Sequence, residues 1–342
     1  MNILRRIFGN ASDDARASKG DVREALDRVV RIAPHVRLAN RYDARLAPVI
    51  GGALRYAREL VDGLPGPRDA NPAAWADDPH LRTMFATADD ITRAIGKSHE
   101  LRGWFDDHYV AEHAYAVLSS RFVERRVLAV AHEGGVLRSD VPRVAVSFDD
   151  KRIRICDETD AALRHEIVLR VVEQLALEGM SRVGAREAQR EALQEARALL
   201  SARMQMLGRR GAGMSGLSGA SSASADASTD VARLQHDIAD NEAAIAALGS
   251  RAEAVEQQLG AIIDVFEEPS TLIRVTQRAL RVNQMNLIVD EGSDEPAANV
   301  TLELAYLPMQ PPETRAVEIV RIARRDLPPA GTALDDAVRW VL

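Results

Sequence analysis

Residues 231–266 read VARLQHDIADNEAAIAALGSRAEAVEQQLGAIIDVF, and the rest of the chain is organised around them. Steps of three and four pick out Val231, Leu234, Ile238, Asn241, Ile245, Leu248, Ala252, Val255, Leu259, Ile262 and Phe266. Every step holds, and only Asn241 is polar. Apolar residues repeating at an average of 3.5 keep one seam of a helix turned toward a partner helix, which is the coiled-coil pattern. A helix of this length is about 54 Å long at 1.5 Å per residue.

Two partners are available: the same segment of a second copy, or the Pro-free helical stretch upstream. Charge separates them. Residues 230–268 hold nine acids (Asp230, Asp237, Asp240, Glu242, Glu253, Glu256, Asp264, Glu267, Glu268) and two arginines, whereas 164–210 hold nine arginines and six glutamates. Two acidic rods repel along their flanks; an acidic and a basic rod attract. The Gly/Ala/Ser-rich stretch between them reads as a flexible linker averaging about 25 Å end to end, ample for helix axes packed about 10 Å apart. The expectation is an antiparallel intramolecular hairpin, with Asn241 fixing register in the seam and a homodimer left open.

That hairpin brings the chain before the first rod beside the chain after the second. Both flanks have a period of two. Upstream, Arg126–Ala131, Arg143–Phe148 and Lys151–Cys156 read as strands, with a short one near Val136. Downstream, Leu280–Val289, Val300–Leu307 and Val317–Ala323 do, and the alternation is cleanest from Val300 to Tyr306. One antiparallel sheet is predicted to draw on both. The fold class is α+β, predominantly helical: an N-terminal helical domain, an antiparallel sheet and a long antiparallel coiled-coil hairpin.

The segments are 1–20, an amphipathic end and tether; 21–122, a helical domain; 123–158, strands; and 159–207, the first arm. They continue with 208–229, the linker; 230–267, the second arm; and 268–342, strands with a closing helix from Thr332. Within the helical domain, Asp21 starts a first helix, Pro48 kinks one over 35–64, and Pro65-Gly66-Pro67 stops it. Asn71-Pro72 and Asp78-Pro79 read as caps with Pro at the first helical position. Further helices are expected near 79–86, 88–97, 99–106 and 109–122, and a short one from Pro269 to Gln277.

Composition limits the function classes. The net charge of -7 argues against a nucleic-acid binder, because neutralising phosphates needs a basic surface. Three lysines (Lys19, Lys97, Lys151) stand against many arginines, which tracks genome base composition rather than function. Cys156 is the only cysteine, which excludes an internal disulfide framework and fits a reducing compartment. No run of about eighteen apolar residues and no cleavable signal pattern is present. The expected location is cytoplasmic, with one route to the membrane periphery: Ile3, Leu4, Ile7 and Phe8 share a helical face opposite Arg5 and Arg6. Such an end suits weak contact with an anionic bilayer, an N-terminal turn docked on the protein's own core, or a frayed terminus.

Catalytic motifs do not cohere. Gly211, Gly213 and Gly216 have dinucleotide-loop spacing but lack the strand-to-helix setting the loop needs. Gly96-Lys97-Ser98 ends like a phosphate loop, but Ile91 replaces the required earlier Gly. His99-Glu100, His132-Glu133 and His165-Glu166 lack the second His four residues after the first. His108, Glu112 and His113 are the best metal candidates; on a helix 108 and 112 share a face, and Asp107 is adjacent. Their spacing exceeds the H-x-x-E-H zinc pattern by one residue, which turns the second His about 100° away. No catalytic set and no cofactor is assigned. The sequence favours a non-enzymatic adaptor or scaffold acting on another protein through its arm. A metal-dependent hydrolase around His108 is the alternative, and peripheral membrane attachment through residues 1–9 is a further one.

Overall fold

The structure, a computed structural model, describes residues 18–133, 136–214, 221–248, 253–293, 295–308 and 312–329. The N-terminal segment 1–9 and the closing helix expected from Thr332 lie outside them. The chain divides into two units. The first comprises Met1–Val22, Gly51–Val172 and Glu268–Leu342; the second comprises Arg23–Ile50 and Glu173–Glu267. Helices α1 (Lys19–Ile32), α2 (Tyr42–Asp62) and α6 (Asp160–Met214) contribute residues to both.

The first unit is built on a sheet with strand order β3-β2-β6-β5-β4. Its members are β2 (His113–Glu133), β3 (Val136–Asp157), β4 (Arg274–Val282), β5 (Ala298–Leu307) and β6 (Glu313–Ala323). The short β1 (Arg68–Asp69) adds in parallel to β6 at Val320. All other pairs are antiparallel. Strands from both sides of the arm share this sheet, as the hairpin requires. Residues 286–289 then tie its two ends together. Val146 N donates to Asn286 O and Ile288 N to Val144 O on β3, while Val289 N donates to Arg281 O on β4.

Helices α3 (Pro79–Met84), α4 (Ala88–Lys97) and α5 (His99–Asp107) pack on one face of the sheet. Each is started by its own sequence. Asp78 caps α3 through the His80 N–H with Pro79 at the first helical position, and Thr87 and Asp90 form a capping box on α4. Ser98 caps α5 and also donates to Ile153 O on β3 at 2.9 Å. The core joins Leu81, Met84, Phe85, Ile91, Ile95, Leu101 and Phe105 to Leu118, Val320, Ile322, Leu302 and Phe148 of the strands. Full burial of each large side chain contributes about 1.5–3 kcal/mol. The start of α6 is fastened to the end of α2: Arg164 donates to Val61 O, Leu64 O and Pro65 O while pairing with Asp160.

Four expectations are corrected. Residues 109–122 are not a helix: a turn follows Asp107 and β2 begins at His113. Tyr115, Leu118 and Phe122 have helical spacing, but Ala114, Ala116, Leu118 and Ser120 also alternate inward, and pairing of 113–121 with β6 decides for the strand. The expected strand Leu280–Val289 breaks after Val282, where Asn283 Oδ1 accepts from Met285 N and Leu287 N and Asn286 takes φ 56°. The helix from Pro269 stops at Leu272 because β4 begins at Arg274. Upstream, the helix expected over 35–64 is a 3-10 turn, Pro34–Leu38, then α2, separated at Arg41 with φ 51°.

The second unit holds the hairpin. Helix α6 faces α7 (Ser221–Ala247) and α8 (Ala254–Glu267). Gly179 lies against Ile262 and Gln258 Nε2 meets Met180 Sδ at 2.9 Å. Arg190 Nη2 donates to Leu248 O at 2.7 Å, and Arg197 pairs with Glu242 at 2.7 Å. As numbering rises on α6 it falls on its partners, so the helices are antiparallel. The 3-10 turn and the start of α2 hold α8: Asn40 N and Arg45 both donate to the Glu256 carboxylate, which holds its pKa below the ordinary glutamate value.

The Gly/Ala/Ser-rich stretch 208–229 is not a linker throughout. Helix α6 continues to Met214 and α7 begins at Ser221. Extending an existing helix adds one hydrogen bond per residue fixed, and residues 221–230 contain neither Gly nor Pro. The second rod is described as two helices rather than one.

Candidate functional site: the faces of the hairpin

The predicted seam lines the inside of the hairpin. Leu234, Leu259, Ile262 and Phe266 are buried, and Val231, Ile238, Asn241, Ile245, Leu248 and Val255 are half-buried among exposed neighbours. Ala252 lies outside the described residues. On α6 the half-buried Val183, Arg190, Leu193, Leu200, Met204 and Leu207 answer it at spacings of three, four and seven. Asn241 is half-buried, and its Oδ1 is buried without a hydrogen-bond partner.

A second stripe on α6 escaped the sequence reading. Leu177, Ser181, Gly184, Ala188, Ala192, Glu195, Leu199, Ala202 and Met206 follow one another in steps of three and four, and all nine are exposed. Leu177, Leu199 and Met206 are 49%, 73% and 67% exposed. At 100° per residue this stripe lies on the side of α6 away from the seam. A helix with apolar residues on two opposite faces has room for a partner on each. The middle of the stripe, from Ser181 to Ala192, carries only small side chains. Glu195 lies within the stripe and Glu187 and Glu191 stand beside it, all three exposed and without an ion pair among the described residues. The signal was present in the sequence as a run of three-and-four steps, but small residues masked it.

The metal candidates do not share a helix face. His108 closes α5, with Nδ1 2.8 Å from Trp104 O and its ring stacked on Trp104 at 4.4 Å. Glu112 offers its carbonyl to Arg324 N, and His113 opens β2 opposite Ala323. Among the described residues no three His, Cys, Asp or Glu are grouped to hold a metal ion. Gly96 and Ser98 have structural roles: a Cβ on Gly96 would sit 2.7 Å from Pro328 Cγ, and Ser98 caps α5. Gly216 lies outside the described residues. Burial, with the charges of Glu100 and Asp157, pushes the Cys156 thiol up to about 12, the opposite of what a nucleophile requires.

The first unit contains a buried polar cluster that the sequence reading missed. The Glu318 side chain, only 2% exposed, accepts from Arg68 Nε at 3.1 Å and stands 3.3 Å from His80 Nδ1, while Arg68 also pairs with Asp78 at 3.1 Å. These contacts clamp the capped end of α3 to β1 and β6, and they occupy the carboxylates in structural pairing. Glu303 is also buried; Gln277 Nε2 donates to it at 3.0 Å. A shallow cavity of about 800 Å³ lies between Trp75, Arg82 and the turn Asn283–Asn286. It contains no acid, base or nucleophile in catalytic arrangement.

No family model, no curated protein and no solved structure matches this chain. Among the described residues no helix is long and apolar enough to cross a membrane.

Proposed function

We propose that the chain is a non-enzymatic interaction protein, an adaptor or scaffold whose helical hairpin engages another protein in a reducing, cytoplasmic setting. The observation that carries this reading is the exposed stripe on α6, about 44 Å from Leu177 to Met206 at 1.5 Å per residue. Exposed apolar residues scattered singly need no explanation; Leu177, Leu199 and Met206 instead share one face, with mostly small residues between them, and a face of that kind suits a partner. The same helix already uses its other face to hold α7 and α8, so the stripe is not needed to form the hairpin. A helix laid into it would be read at three-and-four spacing, with Leu199 and Met206 as anchors.

The test uses the full chain as bait beside its Leu199→Glu/Met206→Glu variant. Both substitutions are at exposed positions, so circular dichroism and thermal melting are expected to be unchanged. A defined partner recovered by the parent and lost by at least ten-fold in the variant supports the reading. Equal recovery by both removes the stripe from the function.

A further inference from the structure

We infer that the outer edge of β2, from Phe122 to Leu128, is an interface at which two copies of the chain join their sheets edge to edge. This goes beyond the hairpin and does not rest on it.

Arg121 is the last residue of β2 paired with β6. Beyond it β2 and β3 continue as a two-stranded ribbon, with Phe122 opposite Phe148 and Leu128 opposite Pro142. Such a ribbon is only marginally stable in water without a further strand. The direction of its backbone groups is set at β3. Val144 O accepts from Ile288 N and Val146 N donates to Asn286 O, so both residues turn their backbone groups away from β2. In an antiparallel ladder the residues opposite them, Arg126 and Glu124, turn theirs away from β3. Phe122 and Leu128 follow the same alternation. Their N–H and C=O groups line an edge about 20 Å long, with no backbone partner among the described residues. The opposite edge of the ribbon is closed to such pairing. Pro142 falls in the same alternation as Val144 and has no N–H to offer, and a bulge at Ala129–Ala131 with Asp140 at φ 70° bends the ribbon beyond it.

The open edge is complementary to itself. A two-fold axis at Arg125 sets Glu124 opposite Arg126 of the partner subunit and Phe122 opposite Leu128 of the partner subunit, each twice. In that register all the outward groups bond. Glu124, Arg126 and Leu128 are exposed. Glu124 also pairs with Arg278 at 2.6 Å, and Arg126 has no ion pair among the described residues. Opposite charges and aromatic–aliphatic pairs across a ladder favour this register. Arg125 meets its own copy, but it lies 3.9 Å from Asp149 of its own chain, which offsets the repulsion.

Sedimentation velocity of the full chain over a hundred-fold range of concentration is expected to show a monomer–dimer equilibrium, because an edge contact is small. Arg126→Glu, which sets like charges opposite each other and leaves the Arg278 pair in place, is expected to weaken the dimer at least ten-fold, with circular dichroism unchanged. Glu124→Arg is expected to do the same, and mixing the two variants to restore a dimer. Arg125→Cys in a Cys156→Ser background provides a second measurement. Its Cα atoms would lie about 4.5 Å apart across the axis, within disulfide reach. Oxidation with diamide is expected to link it at least ten-fold faster than Arg121→Cys in the same background, whose copies lie about 27 Å apart in this register. A monomer at every concentration overturns the inference. A dimer that Arg126→Glu leaves intact, a mixture that stays monomeric, or equal cross-linking at 121 and 125 overturns it too, because the copies then meet elsewhere or in another register.

Discussion

Gly179 of α6 is placed so that a Cβ there would lie 3.0 Å from Cγ1 of Ile262 and 3.1 Å from its Cα on α8. The second contact is with backbone, which cannot rotate out of the way. Close approach of the two helices at the base of the hairpin therefore depends on the missing side chain. Gly179→Val is expected to destabilise the protein by about 2 kcal/mol, the scale of overpacking. Gly260→Ala on α8, where nothing lies within 4 Å, is the matched control and should gain about 0.5–1 kcal/mol from helix propensity. Urea unfolding of the two variants checks both signs.

Asn241 is the one polar residue of the seam, and its buried Oδ1 is unpartnered. Asn241→Leu removes an unsatisfied acceptor and is expected to raise stability by about 1–3 kcal/mol. Loss of the polar marker should also loosen specification of register. A higher unfolding midpoint together with a second species on gel filtration is the expected pair of results.

Burial holds the Glu303 carboxyl above the ordinary glutamate value of 4.5, and the nearby Glu318 charge adds to it, while the Gln277 hydrogen bond pulls the other way. The sign follows directly. Between 4.5 and the raised value the folded chain keeps a proton that the unfolded chain has lost, so stability falls as pH rises through that interval. Glu303→Gln keeps a partner for Gln277 and removes the charge. Its unfolding midpoint should exceed the parent's at pH 7 and converge with it near pH 4.

Cys156, with its thiol pushed up to about 12, should resist alkylation. At pH 8 the native protein is expected to react with iodoacetamide at least ten-fold more slowly than the urea-unfolded chain, since the thiolate is the nucleophile. Equal rates would show that the burial around β3 is wrong.

The hairpin was legible in the sequence because its seam contains large side chains at unbroken spacing from Val231 to Phe266, and such a row cannot be left in water. The sheet's composition from both flanks followed from that pairing. The outer stripe was not legible, since Gly184, Ala188 and Ala192 carry no hydrophobic signal that a pattern reading weighs. Residues 113–122 were misread because Tyr115, Leu118 and Phe122 have helical spacing, whereas the inward alternation of the strand is carried mostly by the small Ala114, Ala116 and Ser120. The deciding partner, β6, lies about two hundred residues away in sequence. The Glu318 cluster joins residues from β1, α3 and β6, and no local motif announces an arrangement of that kind.

The antiparallel hairpin is tested most directly by the distance between spin labels at Leu200→Cys on α6 and Ile238→Cys on α7, in a Cys156→Ser background diluted with unlabelled protein. Helix axes packed about 8–10 Å apart predict one narrow population below roughly 20 Å that dilution leaves unchanged. A broad distribution beyond roughly 40 Å, or a short distance that dilution abolishes, would mean that the two helices do not pair within one chain.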